Sequence, residues 1–191
     1  MATVEERAIA KNAALEADQR EEMALIGTVV KVKLGWIGIA CSPAGLRRVT
    51  LPQASFSAAL ALLGDDLQEM SPDSVVFGDL PERFRRYFEG EAVDFPDELD
   101  FGSAPPFREA VWQATRSIPF GETRSYGWVA ERIGKPNASR AVGQALAANQ
   151  LAILVPCHRV IGSDGGLCGF GGGLEMKRSL LDMENVSLMR R

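Results

Sequence analysis

One short stretch carries residue types that could do covalent chemistry: Pro156-Cys157-His158-Arg159-Val160-Ile161-Gly162, directly after the apolar run Ala152-Ile153-Leu154-Val155. A free thiol ionises near a pKa of about 8.5, so only a few per cent is thiolate at neutral pH. A nearby base and local positive charge raise that fraction, and His158 and Arg159 are the local sources. Consecutive side chains point apart, so a water is expected to bridge Cys157 and His158. Glu184, in the C-terminal helix, is the candidate to orient the imidazole. His158 is the one histidine of the chain, which confines all imidazole chemistry to this place. A cysteine hydrolase is disfavoured, because an adjacent pair makes a poor dyad and no oxyanion loop is evident. Zinc would find three ligands at odd spacing in Cys157, His158 and Cys168. No metal and no cofactor are therefore expected. A Cys-His pair also occurs as plain structure, and residue types alone leave that reading open.

The elements that must hold this stretch divide the 191 residues by charge. Residues 1–102 carry 10 basic and 18 acidic side chains, net −8; residues 103–191 carry 11 and 7, net +4. The overall −4 argues against a uniformly basic nucleic-acid binder or a membrane-surface protein. It leaves room for one half to meet a polyanion. Three cysteines, an odd number, with no secretory pattern at the N-terminus, lead us to expect reduced thiols and a cytoplasmic location.

Residues 1–24 read as a charged helical extension. Residues 25–102 read as a small α/β domain ending in an acidic, Pro-containing linker from Glu89 to Asp100. Alternation of apolar residues predicts strands at Thr28–Leu34, Trp36–Cys41 and Leu46–Leu51 in an antiparallel sheet, then helices at Ser55–Leu63 and Pro81–Phe88. Residues 103–191 read as helical. A helix capped by Ser103 runs to Ile118, with Phe107, Ala110, Val111, Ala114 and Ile118 on one face. A second opens at Ser125 with Tyr126, Val129, Ala130 and Ile133 inward. After Gly134-Lys135-Pro136-Asn137, a third runs from Ala138 to about Ala148, with Ala138, Ala141, Val142 and Ala145 on its apolar face. The last two form a helix-turn-helix candidate. The third helix shows Ser139, Arg140, Gly143, Gln144 and Ala147 outward, a single cation among small residues. Gly143 costs a helix interior roughly 1 kcal/mol against Ala, which suits either tight packing or close approach to a DNA groove.

Together, Pro156-Cys157-His158-Arg159-Val160, Ile118-Pro-Phe-Gly-Glu-Thr-Arg-Ser-Tyr126, Arg140-Ala-Val-Gly143, Asn149 and the Gly-rich stretch to Gly173-Leu174 resemble the signature of the O6-alkylguanine-DNA alkyltransferases. The resemblance is close over residues 103–191 and weak over 26–102. It implies an α+β chain: a ribonuclease H-like N-terminal domain and a helical, winged-helix-like C-terminal domain. It implies DNA repair by transfer of an alkyl group from O6 of guanine, or O4 of thymine, to Cys157. His158 would be the base acting through water, Glu184 its polarising partner, and Asn149 the holder of the loop. Tyr126 would stand by the flipped nucleotide and help protonate the departing guanine. Arg140 would fill the gap in the base stack, with Ser139, Ala141, Gly143 and Tyr126 also facing DNA. Leu146, Val160, Phe170 and Gly171 would line the substrate pocket, and the carbonyls of Cys157 and Val160 would read the exocyclic amine of guanine. The expected partner is duplex DNA carrying the lesion, with no membrane, and the expected state is a monomer.

The chemistry of such a reaction is consistent with these residues. A base inside a duplex must be swung out to be reached, at a cost of a few kcal/mol. Sulfur attack on an sp3 carbon leaves a thioether, so the protein acts once. Some positions depart from the family pattern. Phe170 stands where many relatives have Tyr, Gly171 where some have Ser, Leu146 where some have Met, and Ala152 where some have Pro. The zinc site of some relatives needs two Cys and two His, which this chain's N-terminal half lacks. The alternative is a catalytically silent lesion sensor, but such alkyltransferase-like proteins lack the reactive cysteine, and Cys157 is present.

Overall fold

The computed structural model describes residues 25–71 and 76–186; the helix expected over residues 1–24 lies outside them. Strands β1 (Leu25–Val32), β2 (Gly35–Ser42) and β3 (Gly45–Val49) form an antiparallel meander. Val30, Val32, Ile37, Ile39 and Val49 are buried along them. Gly35 makes the first turn with φ +134°, where an added Cβ would also collide with the Gln53 carbonyl, so glycine is required twice over. A fourth strand, β4 (Leu67–Met70), pairs parallel to β1, and the sheet order is β3-β2-β1-β4. The sheet is therefore mixed rather than antiparallel. Leu67-Gln68-Glu69-Met70 has no buried member and joins as an edge, which is why alternation does not reveal it.

Helices α1 (Phe56–Ala61, capped by Ser55) and α2 (Leu80–Phe88) pack on this sheet. The acidic stretch that follows contains no helix and is tied to both halves. Asp97 takes two hydrogen bonds from Arg83, Arg116 donates to the Phe95 and Asp97 carbonyls, and Glu98 O accepts from Leu46 N at 2.9 Å.

In the C-terminal half, α3 (Pro106–Arg116), α4 (Tyr126–Arg132) and α5 (Ser139–Ala147) pack on one another, and α6 (Gly173–Met183) closes the chain. Pro105 and Pro106, not Ser103, begin α3: proline pre-sets the helical φ and lacks the N–H that a first turn leaves unpaired. Its buried face is Val111, Trp112, Ala114 and Thr115, while Ala110 is exposed. Trp112 Nε1 donates to Ala145 O at 2.9 Å, fixing α3 to α5. Ser125 caps α4 by accepting from Trp128 N. A short parallel pair, β5 (Arg124–Ser125) with β6 (Val160–Ile161), joins the start of α4 to the residues after Cys157. One hydrophobic cluster runs from Val30 and Ile37 through Phe84 and Phe88 to Val142, Leu154 and Leu180.

Candidate active site and nucleic-acid interface

Cys157 opens a single 3-10 turn, Cys157–Arg159, at the end of a segment anchored on β3. Val49 N donates to Gln150 O at 2.8 Å and Ala152 N to Val49 O at 3.0 Å. Within that segment Ile153 adopts φ +71°, a left-handed conformation that a β-branched residue adopts only under strong constraint. Its burial among apolar neighbours supplies the constraint. Asn149 clasps the loop: its Oδ1 accepts from Leu151 N at 3.0 Å, and its Nδ2 donates to Val155 O at 2.9 Å and reaches Cys157 Sγ at 3.4 Å.

His158 is fully buried, and its Nε2 lies 2.8 Å from Glu184 Oε1. Glu184 follows α6 and is itself buried. Arg159 grips the same carboxylate from the other side, with Nε on Oε2 and Nη2 on Oε1, each at 2.9 Å, while its Nη1 donates to Ile118 O at 2.6 Å. Burial alone would raise the Glu184 pKa, but hydrogen bonds from His158 and Arg159 prevail and bring it down to about 2. A carboxylate ionised in this way accepts only, so Nε2 carries the imidazole proton and Nδ1 holds the lone pair. Burial pulls the His158 pKa below its ordinary value, and Arg159 and Lys177 add to this against the pull of Glu184. The imidazole is therefore neutral at rest. Among the described residues, His158 Nδ1 is the one buried side-chain nitrogen or oxygen with no hydrogen-bond partner.

Two expectations about charge need correction. Sequence adjacency makes Arg159, with His158, a source of positive charge for the thiol, yet its guanidinium is committed to Glu184. The cation that acts on Cys157 is Lys177 of α6, a fully buried ammonium that donates to Val160 O at 2.6 Å. Nor is the thiol made acidic overall. Burial pushes the Cys157 pKa up, and Asn149 and Lys177 offset this only in part. A resting thiol that needs a base at the moment of reaction fits these values better than a standing thiolate.

Tyr126, Arg140, Gly143, Leu146, Cys157 and Phe170 line one cavity of about 600 Å³. The Tyr126 hydroxyl stays protonated, its pKa pushed up to about 12, first by burial and then by the two nearby cysteines. Gly171 belongs to the same wall, with open space where a side chain would stand. Val160, expected on the pocket wall, is fully buried and does not line this cavity; its carbonyl is engaged by Lys177. Cys168, also on this wall, is exposed. Cys157 further borders a second cavity of about 570 Å³, whose walls include Leu51, Gln53, Ala152 and Met176. On α5, Arg140 and Gln144 are exposed, and Ser139, Ala141 and Gly143 are half-buried. A Cβ on Gly143 would sit 3.7 Å from the Tyr126 ring, an ordinary contact. Packing inside the protein therefore does not demand glycine there.

Sequence reasoning missed two residues. Tyr87 of α2 donates from its hydroxyl to Glu184 Oε1 at 2.5 Å and lies 3.3 Å from His158 Nε2. In Tyr87-Phe88 it reads as a core aromatic. Lys177 reads as a solvated charge on a helix, although Met176 and Leu180 beside it mark the inward face.

The family described as 6-O-methylguanine DNA methyltransferase, DNA binding domain, matches residues 106–186. The methylated-DNA–protein-cysteine methyltransferase of Mycobacterium leprae is 50% identical over 118 residues, 62% of this chain and 71% of that protein. The one from Mycobacterium bovis is 49% identical over 114 residues, 60% of this chain and 68% of that protein. Among solved structures, Mycobacterium tuberculosis OGT in complex with DNA superimposes with a TM-score of 0.68 at 39% identity, covering 83% of this chain and 92% of that one. The O6-methylguanine-DNA methyltransferase of Pyrococcus kodakaraensis does so at 0.63 and 26% identity, covering 84% and 99%.

Proposed function

The chain belongs to the methylated-DNA–protein-cysteine methyltransferases, and from that premise we propose that Cys157 is the sulfur that receives the alkyl group. The enzyme repairs DNA directly, moving an alkyl group from the nucleic acid onto one of its own cysteines. The observation that carries the assignment to Cys157 is the unpartnered, buried Nδ1 of the neighbouring His158. Glu184 holds the proton on Nε2, so Nδ1 is the site left to take a proton from the thiol, through one water. The thiolate attacks the alkyl carbon of O6-alkylguanine or O4-alkylthymine, a C–S bond forms and the C–O bond breaks. The electron pair returns to the base, which is protonated as it leaves. Tyr126, still a phenol at neutral pH, supplies a donor at the pocket wall. The thioether product does not hydrolyse, so each molecule acts once. No cofactor takes part in this scheme.

DNA is the partner, and α5 is the element we assign to its minor groove. Arg140 would enter the base stack as the target nucleotide swings into the cavity beside Phe170, Gly171 and Leu146. Ser139, Ala141 and Gly143 keep that face shallow. The Val160 carbonyl would share its lone pairs between Lys177 and the exocyclic amine of guanine, with the Cys157 carbonyl as the second reader. Residues 103–191 would form this winged-helix-like unit and residues 25–102 a ribonuclease H-like support, with 1–24 an extension, all within a monomer. A silent lesion sensor is not favoured, because a thiol stands in the pocket beside a prepared base. Intact mass after mixing with a duplex containing O6-methylguanine tests the proposal. A gain of one methyl group on Cys157, absent in Cys157→Ala, is the expected result; an unmodified protein beside intact lesion overturns it.

A further inference from the structure

The relay His158–Glu184 lies in the C-terminal half, but one of its hydrogen-bonding groups does not. Tyr87 comes from α2, is 1% exposed, and is held by edge-on contacts with Phe88, Phe95 and Phe120 at ring separations of 5.2, 6.1 and 6.0 Å. Its hydroxyl has one hydrogen, which goes to Glu184 Oε1. Toward His158 Nε2, 3.3 Å away, it can therefore present only lone pairs. Nε2 thus faces two groups that only accept, the Glu184 carboxylate and the Tyr87 oxygen. Each requires the ring proton to be on Nε2.

We propose that the Tyr87 hydroxyl is a positioning group for alkyl transfer: it fixes His158 in the Nε2–H tautomer, moderates the pull of Glu184 on that proton, and leaves Nδ1 as the base for Cys157. The proposal rests on the assignment of Cys157 as acceptor. The groups facing the imidazole are Glu184 and Lys177 from α6 and its end, Arg159 from the 3-10 turn, and Tyr87 from α2. Glu184 Oε1 receives Tyr87 and Arg159 Nη2 as well as His158, and Oε2 receives Arg159 Nε and Gly121 N at 3.2 Å. A carboxylate with so many donors is a weaker acceptor toward Nε2–H than a bare one, and the imidazole stays neutral. Burial, and then the charge of Glu184, hold the phenol well above the ordinary tyrosine range, so the hydroxyl keeps its hydrogen throughout the working pH range. The N-terminal half thereby takes part in setting the base.

The single histidine makes the test direct, because 15N-histidine labelling reports His158 alone. In the wild type at pH 7, the two ring nitrogens should show the neutral Nε2–H form. Tyr87→Phe keeps the ring and deletes the hydroxyl. Its His158 should titrate about one pH unit higher, because Glu184 then pulls harder on Nε2–H. The acid limb of the alkyl-transfer rate against pH should move up with it, so that transfer from the free alkylated base is about tenfold slower on that limb and at most about threefold slower at pH 7. In a Glu184→Gln background the same change should shift neither readout further. A wild-type Nδ1–H tautomer, or a Tyr87→Phe titration superimposable on the wild type, overturns the role of Tyr87. The titration does not depend on turnover, so it still decides the matter if the variant transfers poorly. A wild type that shows the expected tautomer but takes no alkyl group on Cys157 overturns the acceptor assignment instead.

Discussion

In the N-terminal half, Lys33, Arg47, Arg48, Arg83, Arg85 and Arg86 each lie within ion-pair distance of a carboxylate. In the C-terminal half, Arg132, Lys135, Arg140 and Arg178 are exposed, and among the described residues none of them makes an ion pair. Buried charge is divided too: His158, Arg159, Lys177 and Glu184 are all in the C-terminal half, while among the described residues the N-terminal half buries only uncharged polar groups, the hydroxyls of Thr28, Thr50, Ser71 and Tyr87. One half uses its surface cations to hold its own loops. The other leaves four exposed cations unpaired and keeps a desolvated cluster beside Cys157. A net charge of −4 therefore says little about DNA binding, because it counts paired and unpaired cations alike.

The largest test of this contrast is in the buried cluster. Glu184→Gln strands the Arg159 guanidinium, and we expect a loss of about 3–5 kcal/mol in denaturant unfolding. Single-turnover transfer should fall by about a hundredfold. A variant as stable as wild type would mean that the cluster carries less than its burial implies. The same groups set the pH course. Glu184 has a folded pKa of about 2, below its unfolded value, so its contribution is present above that unfolded value and is lost as pH falls toward 2. His158, also depressed on folding, loses stability in the same direction below its ordinary range. Transfer should hold level at neutral pH and fall only below the ordinary histidine range, where the buried His158 takes up a proton. A rate that climbs steadily to the thiol pKa would contradict a relay through His158.

Arg140→Ala comes next, with duplex binding and repair each weakened about tenfold and transfer from the free alkylated base near normal. Equal losses on both substrates would remove Arg140 from the groove. Lys135→Ala should lower the slope of log affinity against log salt by about one. The smallest effect belongs to the other half: Arg86→Ala should leave that slope unchanged and cost at most about 1 kcal/mol of stability. If Arg86→Ala alters DNA affinity as Lys135→Ala does, the contrast between paired and unpaired cations fails.

Legibility in the sequence followed the range of the signal rather than the boundary between the halves. The Cys157 loop, α4 and α5 are readable because their signals are local: a proline before the thiol, a serine cap, a 3.6-residue period; Asn149 comes only with the family resemblance. Glu184 was reachable because a base needs an orienting group and few carboxylates lie in the last helix. What escaped was non-local. β4 has no buried face and exists only as an edge to β1. Tyr87 lies 71 residues from His158, and its hydroxyl matters only once the aromatic cluster aims it. Lys177 could be recognised by the helix face it occupies, but the carbonyl it bonds belongs to a different element. Arg159 reads as a neighbour of the thiol because it is close in sequence, whereas its guanidinium reaches a carboxylate 25 residues away.

The open space beside Gly143 has a consequence for anyone who wishes to strengthen this protein. Alanine fits there without disturbing Tyr126, and in a helix it is worth about 1 kcal/mol over glycine. A screen for heat resistance would favour that substitution. Yet the methyl group would stand on the face assigned to the minor groove, where each added atom lifts the helix away from the bases. Thermal tolerance and repair would then diverge in the same clone, with the melting temperature rising as duplex affinity falls. On that assignment, the helix would keep a modest intrinsic weakness as the condition of lying close to DNA.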